Sequence, residues 1–261
     1  MADGGARTLS GLLPELIRVA EEAGRETMRF YGAPEAVWKA DGSPVTAADH
    51  AAENIILPAL RTLTPDIPVI SEEEAAAGVS PEVTGASFWL VDPLDGTKEF
   101  IKQNGEFTVN IALIEHGVPV LGVVHSPVTG DTYAAAGPGT ATVKVSGETR
   151  PIAVRKPPAE GLTVVASRSH GAGPELDAFL AGLKVAEQRS AGSSVKLCLV
   201  ARGDADVYPR LGTTMEWDIA AGHAVLLGAG GRIETVDGGP FLYGKPEFRN
   251  PHFVAYGDWR R

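Results

Sequence analysis

The segment Phe88-Trp89-Leu90-Val91-Asp92-Pro93-Leu94-Asp95-Gly96-Thr97 constrains the fold more than any other stretch of the chain. Its consecutive apolar residues, bounded by Asp92-Pro93, read as a short buried strand. Pro93 has no N–H to give a neighbouring strand, so the strand is expected to end there and turn. Both aspartates then gather at its carboxyl end, and two carboxylates side by side favour a cation. Gly96 and Thr97 open a short predicted helix whose free N–H groups attract an anion such as phosphate. Acids for a metal beside amides for an anion are what phosphoryl transfer requires. Taken alone, Asp-x-x-Asp reads first as a strand-end turn with an N-cap.

Around this segment the chain alternates between helical and strand patterns. Leu12, Leu13, Leu16, Ile17, Val19, Ala20, Ala23 and Met28 recur at helical spacing between Leu9 and about Tyr31, ending near Gly32. A polar hairpin-like stretch follows from Lys39 to Val45. A second helix runs from Thr46 or Ala47 to Leu63, with Pro58 expected to kink or interrupt it. Ile67 to Ser71 reads as a short strand entering three glutamates. Residues 107–115, 118–125, 131–136 and 141–145 read as strands of a meander, giving two helices against a mainly antiparallel sheet. The proline-rich stretch Arg150 to Glu160 is the candidate boundary, dividing the chain into 1–155 and 156–261. Beyond it, strands Leu162–Ala166, Lys184–Arg189, Asp206–Tyr208 and Arg232–Thr235 alternate with helices Gly173–Leu183, Ser193–Ala201 and Trp217–Leu227, as in an α/β domain.

Charge and composition exclude several functions. With 23 Lys and Arg against 33 Asp and Glu, the net charge is −10, which argues against a nucleic-acid duplex as partner. No apolar run approaches the roughly 18–20 residues of a membrane span, so no integral membrane association is expected. The first residues lack the basic start and apolar run of a signal peptide, so a cytoplasmic location is expected, with peripheral attachment to the inner membrane left open. Cys198 is the only cysteine, so an internal disulfide and a cysteine-based zinc cluster are excluded. Among Val195, Leu199 and Val200 it reads as a buried, inert thiol. An anionic substrate would meet an acidic protein, so any positive charge that receives it must be local.

Asp92-Pro93-Leu94-Asp95-Gly96-Thr97, followed by the aromatic Phe100, resembles the signature of the inositol monophosphatase superfamily. Val69-Ile70-Ser71-Glu72-Glu73 resembles that family's strand ending in a metal-binding glutamate. The stretch from Asp41 to Asp49 resembles its loop with the first acidic residue. Glu216-Trp217-Asp218-Ile219-Ala220-Ala221-Gly222 resembles its Trp-Asp-x-Ala-Ala-Gly segment. The resemblance runs from about residue 9 to 257. It implies an α/β (α+β) fold, a layered αβαβα sandwich, with Mg²⁺ as cofactor. It further implies that Glu72, Asp92, Asp95 and Asp218, with the carbonyl of Leu94, hold two Mg²⁺, and that Asp49 helps a third, weaker site. Glu72 and the hydroxyl of Thr97, the latter oriented by Asp49, would be the catalytic groups that position the attacking water. Of the run Glu72, Glu73 and Glu74, only Glu72 is expected to face metal, and the other two to be solvated. Asp218 on its own reads equally as a cap of the following helix. Ala220, Ala221 and Gly222 leave room for close packing.

Substrate choice is expected from the second half. Where inositol monophosphatases carry a glutamate that meets inositol hydroxyls, this sequence has Arg210, which suits a second phosphate. Lys196, one helical turn beyond Ser193, adds a cation. With Val165-Ala166-Ser167-Arg168-Ser169-His170 and the Lys98-Glu99 continuation of the signature, these residues resemble the superfamily's 3′(2′),5′-bisphosphate nucleotidase branch. The implied substrate is a small phosphate ester, adenosine 3′,5′-bisphosphate, losing its 3′-phosphate to give AMP, with 3′-phosphoadenylyl sulfate as a further substrate and sulfur assimilation as the setting. Gly96, Thr97, Ser167, His170, Ser193, Lys196, Arg210 and Asp218 would contact it. Singly, His170 reads as a surface-loop histidine, and Lys196 and Arg210 as exposed cations. Inositol monophosphatase or sugar phosphatase activity stays open, as do a nucleotide-binding regulator without turnover and the oligomeric state.

Overall fold

The helical periodicity that opens the chain becomes α1, Leu9–Met28, in a computed structural model that describes residues 8–32, 36–39, 44–79, 81, 83, 86–167 and 173–260. Leu12, Leu16, Val19, Ala20 and Ala23 form its buried stripe. The short strands β1 (Ala36–Trp38) and β2 (Pro44–Thr46) pair antiparallel. They lead into α2 (Ala47–Leu63), which begins at a capping box between Thr46 and Asp49. Pro58 lies inside α2, yet the helix runs through it uninterrupted, contrary to a break at that residue.

β3 (Val69–Ser71) is followed at once by α3 (Glu72–Ala76). Next come β4 (Ser87–Asp95), α4 (Thr97–Ile101), β5 (Thr108–Glu115), β6 (Val118–Ser126), β7 (Asp131–Ala136), β8 (Thr142–Val145) and β9 (Glu148–Pro151). These strands make a seven-stranded sheet in sequential order from β3 to β9, antiparallel throughout except for the parallel pair β3 and β4. β4 does not stop at Asp92 as Pro93 suggested. It pairs with β5 as far as Asp95 opposite Thr108, and the ladder slips between Asp92 and Asp95. A bulge accommodates the missing proline N–H without ending the strand.

The second half holds β10 (Leu162–Ser167), α5 (Pro174–Leu180), β11 (Val185–Ala191), α6 (Val195–Ala201), β12 (Val207–Arg210), α7 (Glu216–Gly228), β13 (Arg232–Thr235) and β14 (Phe253–Tyr256). Its sheet has five strands in the order β11-β10-β12-β14-β13. The last strand and β9 were not among those read from the sequence.

Strand alternation builds the layers. Trp89, Val91, Ile111, Leu113 and Val123 face α1 and α2. Their neighbours Leu90, Ala112, Ile114 and Val124 face the opposite way, toward α6 and α7. Those helices are covered in turn by Val165, Phe253 and Ala255 of the smaller sheet. Val164, Ala166 and Val254 on its far side pack on Leu176 and Leu180 of α5. The succession is α, β, α, β, α. α7 lies tightly on β6 at Gly122, where a Cβ would stand 2.4 Å from the carbonyl oxygen of Ala221. A Cβ on Gly222, on the other face, would stand 2.7 Å from Leu197 of α6, the close packing expected of that small-residue run. No helix among the described residues is long and apolar enough to cross a membrane.

Candidate active site

Three local devices bring acids together. The parallel pairing of Ser71 with Val91 brings the end of β3, and hence Glu72, level with Asp92. The bulge in β4 holds Asp92, whose Oδ1 accepts the Leu94 N–H at 3.0 Å. Asp218 sits in the first turn of α7 and uses Oδ2 to accept the Met215 N–H at 2.8 Å. Glu72, Asp92 and Asp218 each offer an oxygen within 4.8 Å of the others. Burial, and then Glu72, Asp95 and Asp218, push the Asp92 carboxyl well above the usual carboxylate range. Burial, and then Asp95 and Glu72, do the same to Asp218. Crowded carboxylates partly withdrawn from water repel unless a cation joins them, and hard oxygen donors suit Mg²⁺. The donor set therefore fits that ion.

Asp95 stands beside this group. Its Oδ2 accepts the Ser194 N–H at 2.6 Å. Asp49 uses Oδ2 to accept from Thr46 N at 2.8 Å and Thr46 Oγ1 at 2.7 Å. Thr97 Oγ1 lies 3.3 Å from Asp49 Oδ1 and 3.4 Å from the Leu94 carbonyl. Gly96, with φ of 99°, makes the left-handed turn that starts α4.

Glu73 and Glu74 are not a solvated run. Glu73 is buried and pairs with Lys39 at 2.7 Å, and Glu74 pairs with Arg61 at 2.8 Å. Lys39 also reaches Glu72 at 2.8 Å. Burial works against its ammonium, but the two glutamates outweigh that and hold it above the ordinary lysine range. Nothing in the spacing of the chain singled out Lys39, which meets Glu72 only through the β1–β2 pair.

A cleft opens on the other side of Asp95 and Asp218, lined also by Gly96, Lys98, Ser167, Ser193, Lys196 and Arg210. Lys196 and Arg210 are 5% and 8% exposed, so neither is a surface cation. Lys196 donates to the Ser193 carbonyl at 2.5 Å, and its Nζ lies 5.4 Å from the Tyr208 ring centre. Burial lowers it to about 8 against the opposing pull of Asp95. Arg210 donates through Nη2 to the Thr213 carbonyl at 2.9 Å. Its Nε and the Ser193 hydroxyl are buried without a hydrogen-bond partner among the described residues. Such donors are costly unless an acceptor arrives. Cys198 is fully buried, and burial raises its thiol far above the usual range. Asp41, Arg168 and His170 lie outside the described residues.

Comparison with known proteins agrees with this geometry. Residues 10–256 match the family model described as the inositol monophosphatase family. The Escherichia coli 3′(2′),5′-bisphosphate nucleotidase CysQ is 50% identical over 93% of this chain and 98% of its own. The Buchnera aphidicola protein of the same name is 42% identical over 94% and 93%. A crystal structure of CysQ from Bacteroides thetaiotaomicron superposes with a TM-score of 0.77 at 37% identity, covering 94% of this chain and 96% of that one.

Proposed function

The chain belongs to the inositol monophosphatase family, and from that premise we propose that it is a magnesium-dependent 3′(2′),5′-bisphosphate nucleotidase acting in the cytoplasm. The reaction is hydrolysis of the 3′-phosphate of adenosine 3′,5′-bisphosphate to AMP and orthophosphate, with 3′-phosphoadenylyl sulfate as a second substrate. The names of its relatives support this reading. The observation that carries it is the pair of buried cations Lys196 and Arg210, with Arg210 Nε and Ser193 Oγ unpartnered, in one cleft with Asp95 and Asp218. A bisphosphate can place one phosphate at each end of that cleft. An inositol monophosphate would set neutral hydroxyls against two desolvated positive charges.

Glu72, Asp92, Asp95 and Asp218, with the Leu94 carbonyl, would hold two Mg²⁺, and Asp49 stands beside a third, weaker site. Bound Mg²⁺ supplies charge neutralisation at the phosphate and acidifies coordinated water. The protein's part is orientation. A Thr97 hydroxyl that donates to Asp49 keeps its lone pairs for a proton of the attacking water. Glu72 would accept the other proton, and the N–H groups of Gly96 and Thr97 would meet the phosphate oxygens. The water oxygen bonds to phosphorus as the P–O3′ bond breaks, and the 3′-oxygen leaves as an alkoxide that takes a proton from solvent to become a hydroxyl, while Glu72 returns its proton to solvent. Ser193, Lys196 and Arg210 hold the 5′-phosphate. Ser167, which lines the cleft, would meet the nucleoside, and His170, outside the described residues, is proposed as a further contact. On this reading residues 1–155 contribute most metal ligands and the amides of Gly96 and Thr97, and residues 156–261 the contacts to the retained phosphate and the nucleoside.

Phosphorus NMR of the purified protein with Mg²⁺ and adenosine 3′,5′-bisphosphate tests the reading. The 3′ resonance should convert to orthophosphate while the 5′ resonance persists. Loss of the 5′ resonance, or of neither, would refute it.

A further inference from the structure

Ser194 occupies a position that the reaction scheme leaves unexplained. It is 3% exposed and every polar group of its side chain and amide is engaged. Its N–H donates to Asp95 Oδ2 at 2.6 Å. Its hydroxyl donates to the main-chain carbonyl of Asp218. The same hydroxyl accepts from Asn110 Nδ2 at 3.0 Å, and Asn110 is the residue directly opposite Asp92 in the β4–β5 ladder. One serine therefore touches two carboxylate-bearing residues and the ladder partner of a third.

On its other side Ser194 is bonded to Ser193, which has φ of 42°, in the left-handed region that side chains avoid. Ser193 carries the buried hydroxyl that has no partner among the described residues, and its carbonyl receives the Lys196 ammonium at 2.5 Å. The backbone that presents Ser193 and Lys196 to the cleft is thus fixed by the three hydrogen bonds of Ser194.

We propose that Ser194 is a positioning residue that couples the two ends of the cleft. On the bisphosphate reading above, a divalent cation at the Asp95 and Asp218 end fixes the two residues that Ser194 bonds, and through them holds Ser193 and Lys196 toward the phosphate that is not cleaved. The coupling is reciprocal, as linkage demands. An anion at Ser193, Lys196 and Arg210 fixes the same serine and so tightens the cation site. Direct attraction between cation and anion contributes as well, but it does not pass through Ser194 and survives its removal.

The test measures AMP, which has only the retained 5′-phosphate and is not turned over, by titration calorimetry with and without saturating Mg²⁺. The wild type should bind AMP more tightly with Mg²⁺ by about tenfold, within the roughly 5- to 150-fold range of such couplings. Ser194→Ala should cut that ratio to the part due to direct attraction alone. Asn110→Ala removes the donor to the same hydroxyl and should lower the ratio too. Thermal unfolding without either ligand confirms that each variant is folded, and Ser194→Thr, which keeps the hydroxyl, should restore the ratio. A ratio in Ser194→Ala equal to that of wild type overturns the coupling while leaving the bisphosphate reading intact. Absence of AMP binding in the wild type overturns both.

Discussion

Thr97 Oγ1 lies 3.3 Å from Asp49 Oδ1, joining the first residue of α4 to the first turn of α2. The second oxygen of Asp49 is held by the N–H and hydroxyl of Thr46. A fixed acceptor of this kind points the Thr97 proton away from the cleft and leaves its lone pairs to orient water. Thr97→Ala should therefore lower kcat on the order of 100-fold with a smaller change in KM. Thr97→Ser should keep most of the activity. Asp49→Ala should match the kcat loss and also lower unfolding stability by about 1 kcal/mol, because the capping box is lost. Steady-state kinetics with denaturant titrations separate the two effects.

The crowding of Glu72, Asp92 and Asp218 predicts opposite effects of one substitution on stability and activity. Asp92→Asn keeps an oxygen to accept the Leu94 N–H but removes a buried charge among like charges. In chelator the variant should melt at a higher temperature than wild type, and its phosphate release should be abolished. Mg²⁺ should raise the wild-type melting temperature and raise the variant's less. A lower melting temperature for the metal-free variant would contradict the repulsion argument.

Lys196 is expected to act on binding rather than on turnover. Losing a charge-assisted hydrogen bond costs about 1.5–3 kcal/mol, or roughly 10- to 100-fold in KM. Lys196→Met should show that rise with adenosine 3′,5′-bisphosphate and little change with adenosine 3′-monophosphate, which has no 5′-phosphate. An equal rise with both substrates would remove the assignment of Lys196 to the retained phosphate.

Two buried histidines set part of the acid limit of stability. Burial lowers His125 to about 4 and His223 to about 3. In the unfolded chain each titrates near 6.5. Their neutral forms contribute fully above that value, and the contribution is lost as pH falls toward the folded values, by at most about 1.4 kcal/mol per pH unit for each residue. The buried carboxylates act in the opposite sense, since raised folded values make protonation favour the native state. Comparing wild type with His125→Gln cancels that contribution. Between pH 7 and pH 5 the wild type should lose more stability than the variant, as measured by denaturant unfolding. Equal losses would show that His125 titrates as freely in the folded protein as in the unfolded one.

Much of this was legible in the sequence because local chemistry dictated it. The apolar run at Phe88–Val91 is a strand under any packing, and the small residues of α7 fit against β6 and α6. Pro93 misled because its missing N–H was weighed as a strand end, whereas an antiparallel ladder can lose one bond to a bulge. Glu73 looked solvated because three consecutive glutamates give no clue to which is buried, and its partner Lys39 is 34 residues away. Ser194 and Asn110 were indistinguishable from ordinary polar residues, since their meaning lies in contacts spanning 84 and 99 positions. Arg210 taken singly reads as an exposed cation, because its burial comes with the pairing of β12 to β14, opposite Phe253, a strand that the local pattern does not announce.

The most direct test of the account is the ratio of kcat/KM for adenosine 3′,5′-bisphosphate to that for inositol 1-phosphate, measured in Mg²⁺ for wild type and Arg210→Glu. The account predicts a strong preference for the nucleotide in wild type and its collapse in the variant, with phosphate release from inositol 1-phosphate retained. A wild-type preference for inositol 1-phosphate, or a nucleotide preference unchanged by Arg210→Glu, would contradict it.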